Sequence, residues 1–170
     1  MDYLNIIILS SIPTISYFIS CVVYNQFQLP TQTKSNPHTN AYINNSSKNA
    51  ITTAVGNIFI IYPLITYYNE NNNMRVLYIC LGIFIIDTIE YFLHYIYHFS
   101  PFIYNIHKFH HKPHPINPYI ALSNDDYELL ITAPLLILCF LYFKFTYIEY
   151  IIVTALGNIA TVCDHTYTSP

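Results

Sequence analysis

Apolar positions along this chain gather into five runs separated by polar segments. Leu4 to Val23 form a first candidate membrane span, broken by Pro13 and softened by serines. Tyr24 to Asn49 read as a polar loop rich in Asn, Thr, Ser and Pro. Ile51 to Tyr68 form a second span, Asn69 to Met74 a polar turn, and Val76 to Tyr97 the third and longest span. About 20 apolar residues, at roughly 1.5 Å per residue, are enough to cross a bilayer as a helix. Pro101 to Asp126 are polar again. Leu129 to Phe143 and Ile148 to Val162 follow, joined around Lys144. Each of these last runs would reach roughly 22 Å as a helix, short of the ~30 Å hydrocarbon core, so they predict a helical hairpin that need not cross fully. The expected fold is all-α, an integral membrane helical bundle. Residues 1–50 are expected to be an N-terminal span plus polar loop, and residues 51–170 a second membrane domain.

This layout has a sidedness. The third span ends at a group of histidines, and the hairpin leaves that face and returns to it, delivering Asp164 and His165. Lys34, Lys48, Lys108 and Lys112 fall on the histidine side, with Arg75 and Lys144 on the far side or within the membrane. Positive charge marks the cytosolic face, so the histidines are expected there.

Composition supports the bilayer. The chain is 54% hydrophobic and 9% charged, against about 25% charged in soluble domains. A net charge of −3 argues against nucleic acid as a partner. Cys21, Cys80, Cys139 and Cys163 all lie in apolar runs, without the spacing of a disulfide framework or a structural zinc site.

The candidate chemistry is in the histidines. His94 and His98 stand at i and i+4 at the end of the third span, and His107, His110 and His111 follow nine residues later. Residues at i and i+4 share one side of a helix, so both imidazoles can reach one ion. His107, His110 and His111 share a helical face, but the adjacent pair diverges, which favours two ions over one tetrahedral zinc. Asp87 and Glu90 lie deeper on the stripe that carries His94 and His98. They are read as partners for the second ring nitrogen of a ligand, as further ligands, or as hydrogen-bonding groups between spans. His114, between two prolines, is a further candidate ligand or neighbour of the site. The pairs His94/His107 and His98/His111 are each thirteen apart. That spacing would also suit haem between helices, but Pro101 interrupts the segment and argues against a simple helix pair.

These residues resemble a family. Asp87-x-x-Glu90-Tyr91-x-x-His94-x-x-x-His98, then His107-Lys108-x-His110-His111, then Ala121 and Glu128 before a hydrophobic hairpin, are similar to the fatty acid hydroxylase/sterol desaturase superfamily. The resemblance covers roughly residues 76–170. It implies a multi-pass membrane enzyme, usually of the endoplasmic reticulum, with two non-haem iron ions facing the cytosol. Zinc is expected to substitute in isolated protein. The implied reaction is hydroxylation or desaturation of a membrane lipid, a sterol or fatty acyl chain, with O2 and electrons from a cytochrome b5-type donor. His165-Thr166-Tyr167 is similar to a later family stretch and adds His165 to the implied ligands, with His94, His98, His107, His110 and His111. The pattern departs at Tyr95, where the family has Arg, and no third His-x-x-His-His follows His165, so the domain is expected to be C-terminally incomplete. Two readings result: a lipid C–H oxidoreductase, or a catalytically incompetent remnant that acts as a membrane or lipid-binding partner.

Overall fold

The computed structural model describes residues 2–27, 39–69, 73–112 and 117–166. Its regular structure is helical throughout: α1 (Tyr3–Asn25), α2 (Thr39–Gly56), a π-helical turn (Asn57–Ile61), α3 (Tyr62–Tyr68), α4 (Val76–Phe99), α5 (Pro101–His111), a 3-10 turn (Pro118–Ile120), α6 (Asp126–Tyr142) and α7 (Tyr147–Asp164). Three helical stretches are long and apolar enough to cross a membrane: Tyr3–Asn25, Thr39–Tyr68 and Val76–Phe99. Large apolar side chains such as Leu4, Ile8, Ile19, Phe59, Phe84 and Phe92 are exposed on these helices, as expected where lipid is the solvent.

Local chemistry sets the helix starts. Asp2 accepts from the Asn5 backbone N–H at 2.8 Å at the head of α1. Pro101 occupies the first turn of α5, where its missing N–H costs nothing. Thr146 and Glu149 form a reciprocal capping box at the start of α7.

Three expectations are corrected. Pro13 does not break the first span, because α1 runs through it. Ser16 and Asn158 both donate to the Pro13 oxygen, at 2.7 and 2.9 Å, and the Asn158 bond ties α1 to α7 at this point. The polar stretch to Asn49 is not all loop, since α2 begins at Thr39 and the expected domain edge at 50/51 falls inside it. Its polar residues serve internal contacts. Asn49 donates to the Leu122 carbonyl at 2.9 Å, and Ser46 bonds both the Tyr17 hydroxyl and the Leu122 N–H. Ser46 and Asn49 are buried, so this seam is polar on the inside. Pro101 does not prevent a helix pair either; it opens α5, which packs back on α4.

The core forms where α7 lies against α1 and α4. Ile85, Ile86, Phe140, Phe145, Tyr150, Ile151 and Val153 are its buried centre. Gly82 allows the close crossing of α4 and α7, because a Cβ there would sit 2.6 Å from Val153 Cγ2. The bundle thereby brings the C-terminal end of α4, all of α5, the first turn of α6 and the C-terminal end of α7 to one end of the molecule.

Candidate metal centre

Four histidines meet at that end. His94 and His98 come from α4, His107 and His111 from α5, each pair one helical turn apart. One ligand nitrogen from each lies within 4.8 Å of all the others. The rings pack edge to face, with centroids 4.6 Å apart for His94–His107 and for His107–His111, and 4.8 Å for His98–His111. Two helices bearing i, i+4 pairs, folded back on each other, are sufficient to build this cluster.

The Nε2 atoms converge. His111 Nε2 lies 2.8 Å from His107 Nε2 and 3.0 Å from His98 Nε2. The far side of the His107 ring is already committed: its Nδ1–H donates to Glu128 Oε1 at 2.9 Å. With that proton on Nδ1, Nε2 of His107 carries a lone pair. The Nε2 of His111 holds either a proton or a lone pair, so it cannot donate to one neighbour while accepting from the other. A single His111 Nε2–H can be shared between the His107 and His98 nitrogens, and a cation bound at the centre would take the place of that proton. Metal–nitrogen bonds of about 2.0–2.1 Å place ligand nitrogens about 2.9 Å apart at right angles and about 3.4 Å apart in a tetrahedron. The two short separations, 2.8 and 3.0 Å, are close enough for ligands of one ion. A 3.0 Å contact between His98 and His111 leaves no room for a macrocycle between the rings, which removes the haem reading for that pair.

The electrostatics point the same way. Burial, and then the neighbouring His107, His94, His98 and His165, push the His111 imidazole down to about 4, so it stays neutral and able to ligate well below neutral pH. His165 caps α7, and its Nδ1–H donates to the Thr161 carbonyl at 2.8 Å, which makes Nε2 the nitrogen with the lone pair. Burial holds His165 below the ordinary histidine value.

Of the other sequence-predicted residues, His110 has its backbone in α5, but its side chain lies outside the described residues, as does all of His114. Asp87 and Glu90 precede His94 on α4, and Glu90 is within electrostatic range of Asp87 and Asp164. Among the described residues, Glu128 of α6 is a carboxylate that orients a histidine. Sequence reasoning missed that role because Glu128 lies twenty-one residues from His107, beyond the reach of helical periodicity. Tyr97 was missed as well; its ring stacks on His107 at 5.0 Å and 19°.

The sequence model of a family described as fatty acid hydroxylase matches residues 79–170, more than half of the chain and all of this site. No curated protein and no solved structure matches the chain.

Proposed function

The chain belongs to the fatty acid hydroxylase family, and from that premise we propose that it is a membrane-bound, non-haem di-iron oxygenase that hydroxylates or desaturates a lipid. A lipid hydroxylase or desaturase-like function in general follows from the family. The finer reading is a sterol or fatty acyl substrate, O2 as oxidant, a cytochrome b5-type electron donor and residence in the endoplasmic reticulum membrane. The observation that supports a metal-dependent oxygenase is the convergence of four histidine nitrogens within 4.8 Å at the end of a membrane-length helix.

Iron bound there would supply the oxygen activation that attack on an unactivated C–H bond needs, since no side chain can perform it. His94, His98, His107 and His111 are the residues that would hold it, with His165, His110 and His114 as further candidate ligands. Glu128 holds a proton on His107 Nδ1 and so turns Nε2 toward the centre. His94 and His98 are exposed, which leaves the site open on the α4 side. Exposed Tyr91, Phe92 and Tyr95 flank them and offer a lipid chain an apolar surface beside the histidines.

The test is elemental analysis of the detergent-purified chain after iron loading, beside a His107→Ala/His111→Ala variant. Close to two ions per chain, lost in the variant, is the expected result. A lipid oxidation assay with reductant and O2 then reads the reaction. Absence of stoichiometric metal sinks the oxygenase reading, and full metal without lipid oxidation by a broad sterol and acyl panel sinks the catalytic part alone.

A further inference from the structure

We propose that Glu128 is the positioning residue of the centre: it fixes His107 as the pre-formed anchoring ligand, and its own buried charge is answered by the bound cation. This rests on the metal reading above. Three observations carry it.

First, the histidines are unequal. His94 and His98 are exposed, whereas His107 is 2% exposed and is held from three sides. Glu128 of α6 takes its Nδ1–H, the Tyr97 ring of α4 stacks on its face, and its own helix supplies the backbone. Tyr97 is itself placed by Thr132, one turn beyond Glu128 on α6, at 3.5 Å between hydroxyls. His107 therefore has one ring orientation and one tautomer before any ion arrives, while His94 and His98 have room to adjust.

Second, Glu128 is buried, and its Oε2 has no hydrogen-bond partner among the described residues. A buried carboxylate with one oxygen open is costly unless something compensates it. Its contact here is an imidazole that the cluster needs in neutral form. A divalent ion on the other nitrogen of that imidazole supplies the missing positive charge through the ring.

Third, Glu128 sits in the first turn of α6, whose N-cap Asp125 bonds the Tyr127 N–H. The carboxylate is thus fixed by a helix start and not by a loop, and it ties α6 to the α4–α5 pair. Partners of this kind are worth 10–100-fold in metal affinity where they have been removed.

Cobalt(II) is the probe, titrated into the full chain in detergent at neutral pH and followed by its visible absorption. Glu128→Ala is expected to bind 10–100-fold more weakly than the unaltered chain. Glu128→Gln, which keeps the acceptor oxygen and loses the charge, is expected to fall between them. Nitrogen-15 NMR of the metal-free, histidine-labelled chain reads the positioning directly and without any ion. His107 is expected to carry its proton on Nδ1, and Glu128→Gln to shift the tautomer balance. Equal cobalt affinity in all three chains overturns the proposal and leaves the metal reading standing. A metal-free His107 protonated on Nε2 overturns it even if Glu128→Ala does not fold. Failure of the unaltered chain to bind cobalt overturns the metal reading and the charge-compensation part together, while the tautomer result still decides whether Glu128 positions His107.

Discussion

Helices α4 and α7 end in two polar clusters of opposite character. At the far end, Arg75, just before α4, meets Glu149 in the first turn of α7. Its Nη2 and Nε bond the two carboxylate oxygens at 2.7 and 2.9 Å, and its backbone N–H adds a third contact. Glu149 also accepts from Thr146 N–H, while Nη2 reaches the Lys144 carbonyl and the guanidinium lies 3.3 Å above the Tyr78 ring. The guanidinium and the carboxylate pair, and their charges cancel. At the other end, imidazole nitrogens crowd together across 2.8 and 3.0 Å, with a carboxylate behind them. The first cluster carries its own counter-charge; the second gathers four imidazoles of the kind that can hold a cation. Two polar groups of similar density thus differ in whether a matched ion pair lies at their centre.

Changes at the ion-paired end are expected to act on folding and not on metal. Arg75→Met removes the counter-charge of a fully buried Glu149, leaving it backbone N–H donors alone, and should cost about 3–5 kcal/mol. Unfolding of the detergent-solubilised chain would show it, with cobalt affinity of the folded fraction unchanged. A parallel loss of affinity would mean that the two ends are coupled along α4 and α7.

At the histidine end the expected signature is pH dependence of the metal-free chain. His111 has its folded value lowered to about 4, against ~6.5 for an ordinary imidazole. A base whose folded value is depressed contributes its full stability above ~6.5, and that stability is lost as pH falls toward 4. The metal-free melting temperature should therefore drop across that window, and His111→Gln should flatten the drop. Loaded metal should move the fall to lower pH, because protons and ion compete for the same nitrogens.

Smaller effects probe what lies between the ends. Asn49→Ala removes the donor that ties α2 to the carbonyl of Leu122 and should cost about 1–3 kcal/mol. Melting beside an exposed control such as Asn5→Ala would check it, and equal losses would discount the buried seam. Smallest is Lys144→Gly. Lys144 holds φ 53 in the α6–α7 turn with its side chain exposed, and only its carbonyl serves the Arg75 cluster. Relief of the left-handed strain should stabilise the chain by no more than about 1 kcal/mol, offset in part by the added freedom of the unfolded glycine. A clear destabilisation would show that the lysine side chain matters.

Much of this was legible in the residues. The runs at 4–23, 51–68 and 76–97 lie within three helices long and apolar enough to span a membrane. The hairpin at 129–143 and 148–162 corresponds to α6 and α7, to within a few residues. His94, His98, His107 and His111 could be nominated because i, i+4 spacing is a local rule that needs no tertiary knowledge. What failed to show were the features that depend on a distant partner. Asn49 and Ser46 look like loop residues until Leu122 and Tyr17 are beside them. Pro13 looks like a helix breaker, yet α1 runs through it where it packs against α7. Asp87 and Glu90 share a stripe with His94, yet an orienting carboxylate came from Glu128 on another helix.

The sequence by itself determined that this chain is helical, suited to a membrane and rich in metal-ligand chemistry, because hydrophobic length and helical period are properties of single segments. The tertiary structure alone decided which histidine is buried, which carboxylate holds it and which nitrogens meet. Those depend on α5 folding back onto α4 and α6 closing over both, and a contact between segments twenty-one residues apart is set by packing, not by period.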